Sequence, residues 1–145
     1  MTARLRRVLL LKPSDITLLC RAAVILLSIR LSLWMRPWNR FRSPATRTGS
    51  LRAMNPGVNR LEWAVLAASR FIPRATCLTR ALALHRLLTN YGYRSKVQFG
   101  IQRSDGRFAA HAWIEHEADV LLARTPETAR YVRFFSWPPS RPDLS

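Results

Sequence analysis

The spacing of the apolar residues changes once along this chain, and that change constrains the fold more than any other feature. Up to Gly92 the apolar residues recur at the i, i+3, i+4 spacing of amphipathic helices. Beyond Gly92 the residues Val97, Phe99 and Ile101 occupy every second position, as in a half-buried strand. Helices followed by an antiparallel meander of strands predict the α+β class.

Local signals set the expected bounds of each element. Ser14, Asn59 and Thr76 are positioned to cap three helices, and Gly92 suits the left-handed position that ends the third. The tail around Trp137 contains several prolines and is expected to be irregular. The expected helices cover 15–35, 59–71 and 77–91, and the expected strands cover 96–102, 108–115 and 120–123.

Proline and glycine divide the chain into two parts. Residues 37–57 hold three prolines and two glycines among Arg, Ser and Thr, which is typical of a loop or linker. We therefore expect an N-terminal helical, Arg-rich region with its linker at 1–58 and a core at 59–145. The length of 145 residues is about one domain, enough to bury one ordinary core.

The net charge of +16 comes almost entirely from arginine, since only two of the 24 basic residues are lysine. No basic run exceeds two residues, and scattered positive charge attracts anionic partners without specifying nucleic acid. Residues 1–52 hold eleven basic residues against Asp15 alone, which is +10 of the total. This part of the chain is expected to form an association surface for a partner protein, an acidic leader or a membrane face.

The apolar stretch 16–35 is long enough to span a bilayer, which takes about 20 residues. Arg21 and Arg30 interrupt it, and each would cost about 2.5 to 3.5 kcal/mol near the bilayer centre. Packing within the protein or against a partner is therefore favoured, with a membrane-surface helix and a span as the alternatives. No secretory signal pattern is present, so the expected location is cytoplasmic, with a peripheral position at the inner membrane face as the alternative.

Cys77 and His111 form the pair with the clearest chemical meaning. Cys77 begins the third expected helix, where unpaired N–H groups and the helix dipole favour the thiolate. His111 lies on the second expected strand, and within hydrogen-bond reach it would take the thiol proton and later protonate a leaving amine. Taken singly, each has a plainer interpretation, as a small buried residue for Cys77 and a core or strand-edge histidine for His111.

The remaining cysteine and histidines are weaker candidates. Cys20 lies inside an apolar helix, where burial would keep the thiol inert. His85 is about 12 Å from Cys77 along the helix axis, too far to act as its base. His116 is expected in a polar turn. Two cysteines and three histidines are too scattered for a zinc site, so we expect neither a metal nor a cofactor.

Two segments carry a family resemblance: CLTRALALHRLL, which begins at Cys77, and AHAWIE at residues 110–115, with Gly92 and the strand 97–101 between them. Together they closely resemble the leader peptidases that mature lasso peptides, which belong to the transglutaminase-like cysteine proteases. These also occur as the C-terminal part of fused microcin-type processing proteins. The match covers residues 75–125 in detail, and its specificity comes from the combination of both segments.

The resemblance implies a papain/transglutaminase-like fold in which Cys77 is the nucleophile and His111 is the base. The implied reaction is hydrolysis of the bond between the leader and the core of a ribosomally made precursor peptide. A partner macrocyclase then closes an isopeptide ring on the freed amine. Residues 1–60 lack the strand-rich pattern of a leader-recognition domain, so the resemblance points to the stand-alone type, which depends on a separate leader-binding protein.

The residue that would orient His111 is open. The family often places an Asp about twelve residues after the His, and this chain has Ala123 there. Asp119 is the nearest carboxylate on that side of the turn. The alternatives are a backbone carbonyl, an amide or a water, or a Cys-His dyad without a third residue. Glu115 is about 13 Å along the strand from His111 and is disfavoured.

Two other functions stay open from the residues alone. The same dyad could act as an acyl transferase or amidase, because the acyl-enzyme intermediate is shared and only the acceptor differs. Alternatively, the chain could be a non-catalytic basic adaptor that docks on an anionic membrane or on nucleic acid through 16–35.

Overall fold

The computed structural model describes residues 12–35, 56–104, 106–122 and 130–137. Within these residues the chain forms helices first and strands afterwards, which confirms the α+β prediction. The helices are α1 (Pro13–Met35), α2 (Val58–Ser69) and α3 (Cys77–Asn90), and the strands are β1 (Lys96–Ser104), β2 (Arg107–His116), β3 (Asp119–Leu121) and β4 (Val132–Trp137). The expected linker lies almost wholly outside the described residues.

The starts of the helices differ from the expected caps in two cases. α1 begins at Pro13, whose fixed φ and missing N–H suit a first helical position, so Ser14 lies inside the first turn. α2 is preceded by Gly57 rather than capped by Asn59, and no side chain caps it. At α3 the prediction is confirmed, because the side chain of Thr76 accepts a hydrogen bond from the N–H of Thr79.

The strands form a single antiparallel sheet in the order β3-β2-β1-β4 within the described residues. β1, β2 and β3 are the predicted meander. The β1–β2 register places Gly100 directly opposite His111. β4 pairs with the free side of β1, with a bulge between Phe99 and Gly100. β4 therefore borders the part of the sheet that carries His111.

The irregular tail predicted around Trp137 is wrong for residues 132–137, which form β4. The run Val-Arg-Phe-Phe-Ser-Trp is rich in β-branched and aromatic residues, which favour strands. The prolines that dominated the prediction begin only at Pro138, directly after the strand. Residues 138–145 lie outside the described part of the chain.

The core lies between the helices and one face of the sheet. α1 contributes a buried stripe to the same cluster as α2 and α3, so the described part of 1–58 shares its core with the later helices. The sheet contributes alternate residues of its strands, such as Ala112 and Ile114 of β2. The stripe of α1 consists of Leu18, Ala22, Leu26 and Ile29. α1 is long and apolar enough to cross a membrane, a property that it shares with core helices of soluble proteins and with signal sequences.

Candidate active site

Cys77 is the first residue of α3, as the sequence predicts. Thr76 immediately before it accepts the Thr79 N–H at 3.3 Å, and the two threonine hydroxyl oxygens lie 3.0 Å apart. The capped turn fixes the direction in which the side chain of Cys77 projects from the start of the helix. Its thiol is free and partly exposed, at the end of the helix where N–H groups and the positive dipole stabilise negative charge.

A cavity of about 360 Å³ connects Cys77 with the sheet. It lies between the start of α3 and the strands β1, β2 and β4, and both Cys77 and His111 line it. The rest of its lining is apolar: Leu78, Phe99, Gly100, Ile101, Ala110, Ala112, Phe134 and Phe135. A peptide bound there would be held by apolar contacts and backbone hydrogen bonds rather than by charge.

The imidazole of His111 packs with two aromatic rings. It stacks on Trp113, with ring centroids 6.2 Å apart and planes 25° apart, and its centroid lies 5.5 Å from that of Tyr131. Because strand residues alternate faces, His111 and Trp113 share the face opposite to Ala112, which enters the core. Cys77 and His111 thus line one cavity, but neither side chain makes a hydrogen bond within the described part of the chain.

Burial lowers the pKa of His111 below its usual value of 6.5. The imidazole is therefore mainly neutral at pH 7, which is the form that can accept a proton. A general base needs this property, whereas a histidine that served only as a positive charge would need the opposite.

Gly100 leaves room for the aromatic packing around His111. A Cβ at this position would lie 2.6 Å from two ring carbons of Trp113 and 2.9 Å from Cβ of Tyr131. We expect Gly100→Ala to lower the free energy of unfolding by about 1 to 3 kcal/mol, the usual cost of overpacking. Gly57→Ala is the control, since its Cβ would meet nothing within 4 Å. Urea unfolding measures both, and equal small losses would show that the Trp113 ring has space to move.

Neither Asp119 nor Glu115 is placed beside His111. Asp119 begins β3 and pairs with His116, the last residue of β2, about 16 Å along the strand from His111. Glu115 accepts a hydrogen bond from Gln98 at 2.8 Å and pairs with Arg133 at 2.8 Å. Position 123, where the family pattern has its Asp, lies outside the described residues.

His85 and His116 have structural surroundings. His85 contacts the hydroxyl of Ser95 at 2.8 Å, and burial lowers its pKa to about 4. The expectation that His116 lies in a turn is wrong: it is the buried last residue of β2, and its Nδ1 lies 2.5 Å from the carbonyl oxygen of Arg94. No group of three or more His, Cys, Asp or Glu residues that could hold a metal occurs among the described residues.

The low pKa of His85 makes stability depend on pH. Protonation favours the unfolded chain, so stability is fully present above about pH 6.5 and declines as the pH falls towards 4. The shift corresponds to up to about 3 kcal/mol. We expect the free energy of unfolding of His85→Gln to change less than that of the parent over this pH range. Urea unfolding of both proteins at several pH values measures the difference. The same change of stability with pH in parent and variant would show that His85 is not its cause.

Sequence reasoning missed two sets of residues and misplaced one. It did not find Tyr131, which contacts the His111 ring, or Phe134 and Phe135, which line the cavity. All three belong to the β4 region, whose β-prone run was the available signal. The expectation that Cys20 is buried is also wrong, since it is exposed on α1, where it lines a different cavity from Cys77.

Helices, sheet and the cysteine at a helix start define a protein of the papain/transglutaminase-like class. A family model described as Transglutaminase-like superfamily matches residues 23–136, so the chain belongs to this superfamily. Its members are typically cysteine-based hydrolases and acyltransferases. Neither the curated proteins nor the solved structures gave a match.

Proposed function

We propose that this protein is a cysteine endopeptidase that removes the leader from a lasso-peptide precursor before macrocyclisation. One observation carries the proposal: Cys77, at the N-terminus of α3, and His111, on β2, line the same apolar cavity. Membership of the transglutaminase-like superfamily supports cysteine-based chemistry. The resemblance of the segments CLTRALALHRLL and AHAWIE to the lasso-peptide leader peptidases supports this substrate.

In the first half of the reaction, His111 accepts the thiol proton of Cys77 while Sγ attacks the carbonyl carbon of the last leader residue. The positive end of the α3 dipole stabilises the negative charge that forms beside it. The C–N bond then breaks, and the imidazolium returns its proton to the departing amine of the core peptide. The leader remains attached to Cys77 as a thioester.

In the second half, a water molecule gives a proton to His111 and its oxygen attacks the thioester carbonyl. The C–S bond breaks, the proton returns to sulfur, and the leader leaves with a free carboxylate. The freed amine of the core peptide is the group on which the macrocyclase closes the ring. Hydrolysis therefore supplies the nucleophile of the next reaction in the sequence.

The proposal requires the imidazole and the thiol to meet during the reaction. A proton transfer needs about 2.6 to 3.2 Å between the heavy atoms, and such contacts often tighten only when substrate is bound. Trp113 and Tyr131 contact the ring on the face of β2 opposite to Ala112, so the imidazole has to turn towards the cavity before it meets the thiol, and we treat Cys77–His111 as a dyad. The 16 Å along β2 leaves no direct role for Asp119.

The partners follow from the same proposal. The precursor peptide is the substrate, a separate leader-binding protein delivers it, and the macrocyclase takes up the product. Cleavage in this scheme takes place in the cytoplasm, where the precursor is made. An excess of arginine over acidic residues is suited to an acidic leader or an acidic partner surface.

The test is to incubate the protein with a lasso precursor and its leader-binding protein and to weigh the products. The proposal predicts two fragments whose masses sum to the precursor plus one water. A fragment that carries an added amine instead would assign the site to acyl transfer, the second activity of this superfamily. An unchanged precursor in the presence of the partner protein would contradict both.

A further inference from the structure

A second apolar stripe runs along α1 on the side away from the core. The side chains of Val24 and Leu31 are 65% and 54% exposed, and Trp34 near the end of the helix is 84% exposed. The stripe, which we call the outer stripe, consists of Ile16, Cys20, Val24, Leu27, Leu31, Trp34 and Met35. At about 100° per residue these positions centre on the side of the helix opposite to the buried stripe. α1 is therefore apolar on two opposite sides, and the part of the domain that the structure describes covers only one.

The outer stripe leads into a hollow beside α3. This hollow has a volume of about 430 Å³ and opens between α1 and the end of α3. Cys20 and Val24 belong to both the stripe and the hollow, and Leu87 extends the apolar lining on the α3 side. The exposed apolar surface thus extends beyond a single row of side chains. Surfaces of this kind mark sites where a protein contacts another molecule or a membrane.

The charges around α1 favour an anionic partner. Asp15 and Glu62 are the only acidic residues before position 105, and both are engaged. Asp15 pairs with Arg60, and Glu62 is buried and accepts the N–H of Leu122 at 2.8 Å. The basic residues near α1 include the exposed Lys12, Arg70 and Arg74. A second copy of this chain would bring the same excess of positive charge to the contact and be repelled.

The loop after α2 adds an apolar side chain between two of these arginines. Phe71 is 77% exposed and is flanked in sequence by Arg70 and Arg74. Arg30 of α1 donates a hydrogen bond to the carbonyl oxygen of Arg74 at 2.5 Å, so the loop lies beside the second half of α1. Aromatic side chains next to arginines are suited to the boundary between lipid acyl chains and anionic headgroups.

From this arrangement we infer that α1 docks the protein on an anionic lipid bilayer, lying in the plane of the surface with its outer stripe in the headgroup region. It lies on the bilayer rather than across it, because two of its arginines are used inside the protein. Arg21 donates to the Tyr91 hydroxyl at 3.3 Å, and Arg30 donates to Arg74. A span would break these contacts and expose the buried stripe of α1.

The experiment is sedimentation of the full chain with lipid vesicles. Vesicles of equal parts phosphatidylglycerol and phosphatidylcholine are compared with vesicles of phosphatidylcholine alone. We expect binding to the anionic vesicles that falls as salt rises from about 50 to about 500 mM, since salt screens the headgroup attraction. The double variant Val24→Gln/Leu31→Gln should bind at least about tenfold more weakly, because it loses two apolar side chains.

The control double variant is Phe108→Gln/Val132→Gln. Both side chains are 73% exposed, lie on the sheet and are outside the stripe. Circular dichroism checks that all variants fold. The inference is overturned if anionic vesicles are not bound, or if the control weakens binding as much as the stripe variant. It is also overturned if light scattering shows that the parent is a dimer and the stripe variant is a monomer. The same holds if the stripe variant still binds vesicles and has lost only its binding to the leader-binding protein.

Vesicle binding and precursor cleavage are measured separately, so the failure of one inference can be told from the failure of the other. Cys77→Ala should bind vesicles as the parent does, because Cys77 is not part of the outer stripe. The stripe variant should still cleave precursor in vesicle-free solution. Loss of vesicle binding with cleavage retained therefore bears on docking alone, and the reverse result bears on the proposed peptidase alone.

Discussion

Replacing Cys77 by alanine is expected to abolish precursor cleavage, with a fall of at least about 10³-fold in kcat/KM. The reaction proceeds through a thioester on Sγ, and no other group at the start of α3 can form one. The fold should survive, because a partly exposed residue at a capped helix start contributes little packing. The free energy of unfolding should change by less than about 1 kcal/mol. Mass spectrometry of the products and urea unfolding measure the two quantities.

Cys20→Ala is the matched control for this experiment. It removes the second free thiol, which lies exposed on α1 and lines a different cavity. We expect parent-like cleavage from it. If both alanine variants cleave as fast as the parent, the activity does not depend on a thiol of this chain.

His111→Gln is expected to lower kcat by about 10² to 10⁴-fold, the usual contribution of a general base. In the parent, the rate should fall in acid as His111 becomes protonated and can no longer accept the thiol proton. Because burial lowers the pKa of His111, the midpoint of this fall should lie below 6.5. The rate profile of kcat/KM between about pH 4.5 and pH 8 measures it.

His85→Gln is the control at pH 7.5, since His85 is already neutral there and lies outside the cavity. It should cleave like the parent. A parent profile with an acid midpoint above 6.5, or His111→Gln cleaving at the parent rate, would remove His111 from the mechanism.

The helices and the meander could be predicted because their signals are local. Thr76 caps α3, the period of the apolar residues distinguishes helix from strand, and Gly92 follows α3 with a φ of 83°. The class of the fold depends on these signals alone. β4 could not be recognised in the same way, because it pairs with β1, about thirty residues earlier, and the prolines behind it suggested irregular structure.

Cys77 and His111 could be named as candidates from the sequence, and their roles stay predictions, whereas their arrangement could not be predicted. The position of Cys77 at a helix start follows from a cap and an apolar stripe, and its presence in one cavity with His111 depends on tertiary packing. The contact of His111 with Tyr131 depends on how β4 pairs and could not be predicted from the sequence. The burial of Glu62 could not be predicted either, since its partner is the N–H of Leu122 in a distant segment.

The outer stripe shows what a hydrophobic pattern leaves open. The stretch 16–35 was expected to pack within the protein or against a partner, with a membrane-surface helix and a span as the alternatives. The exposures show that one side of α1 packs in the core and that the opposite side is exposed. Leu18 and Leu26 face the core, while Val24 and Leu31 face outward. Composition averages the two sides, so only the three-dimensional structure separates them.

The central claim is that Cys77 becomes acylated by the leader. The most direct measurement is a brief reaction with precursor and leader-binding protein, quenched in acid and followed by peptide mapping of the intact protein. The account predicts the leader joined to Cys77 through a thioester in the parent and no adduct in Cys77→Ala. Cleaved fragments that form with Cys77→Ala, or a leader adduct on Cys20 in the parent, would contradict it.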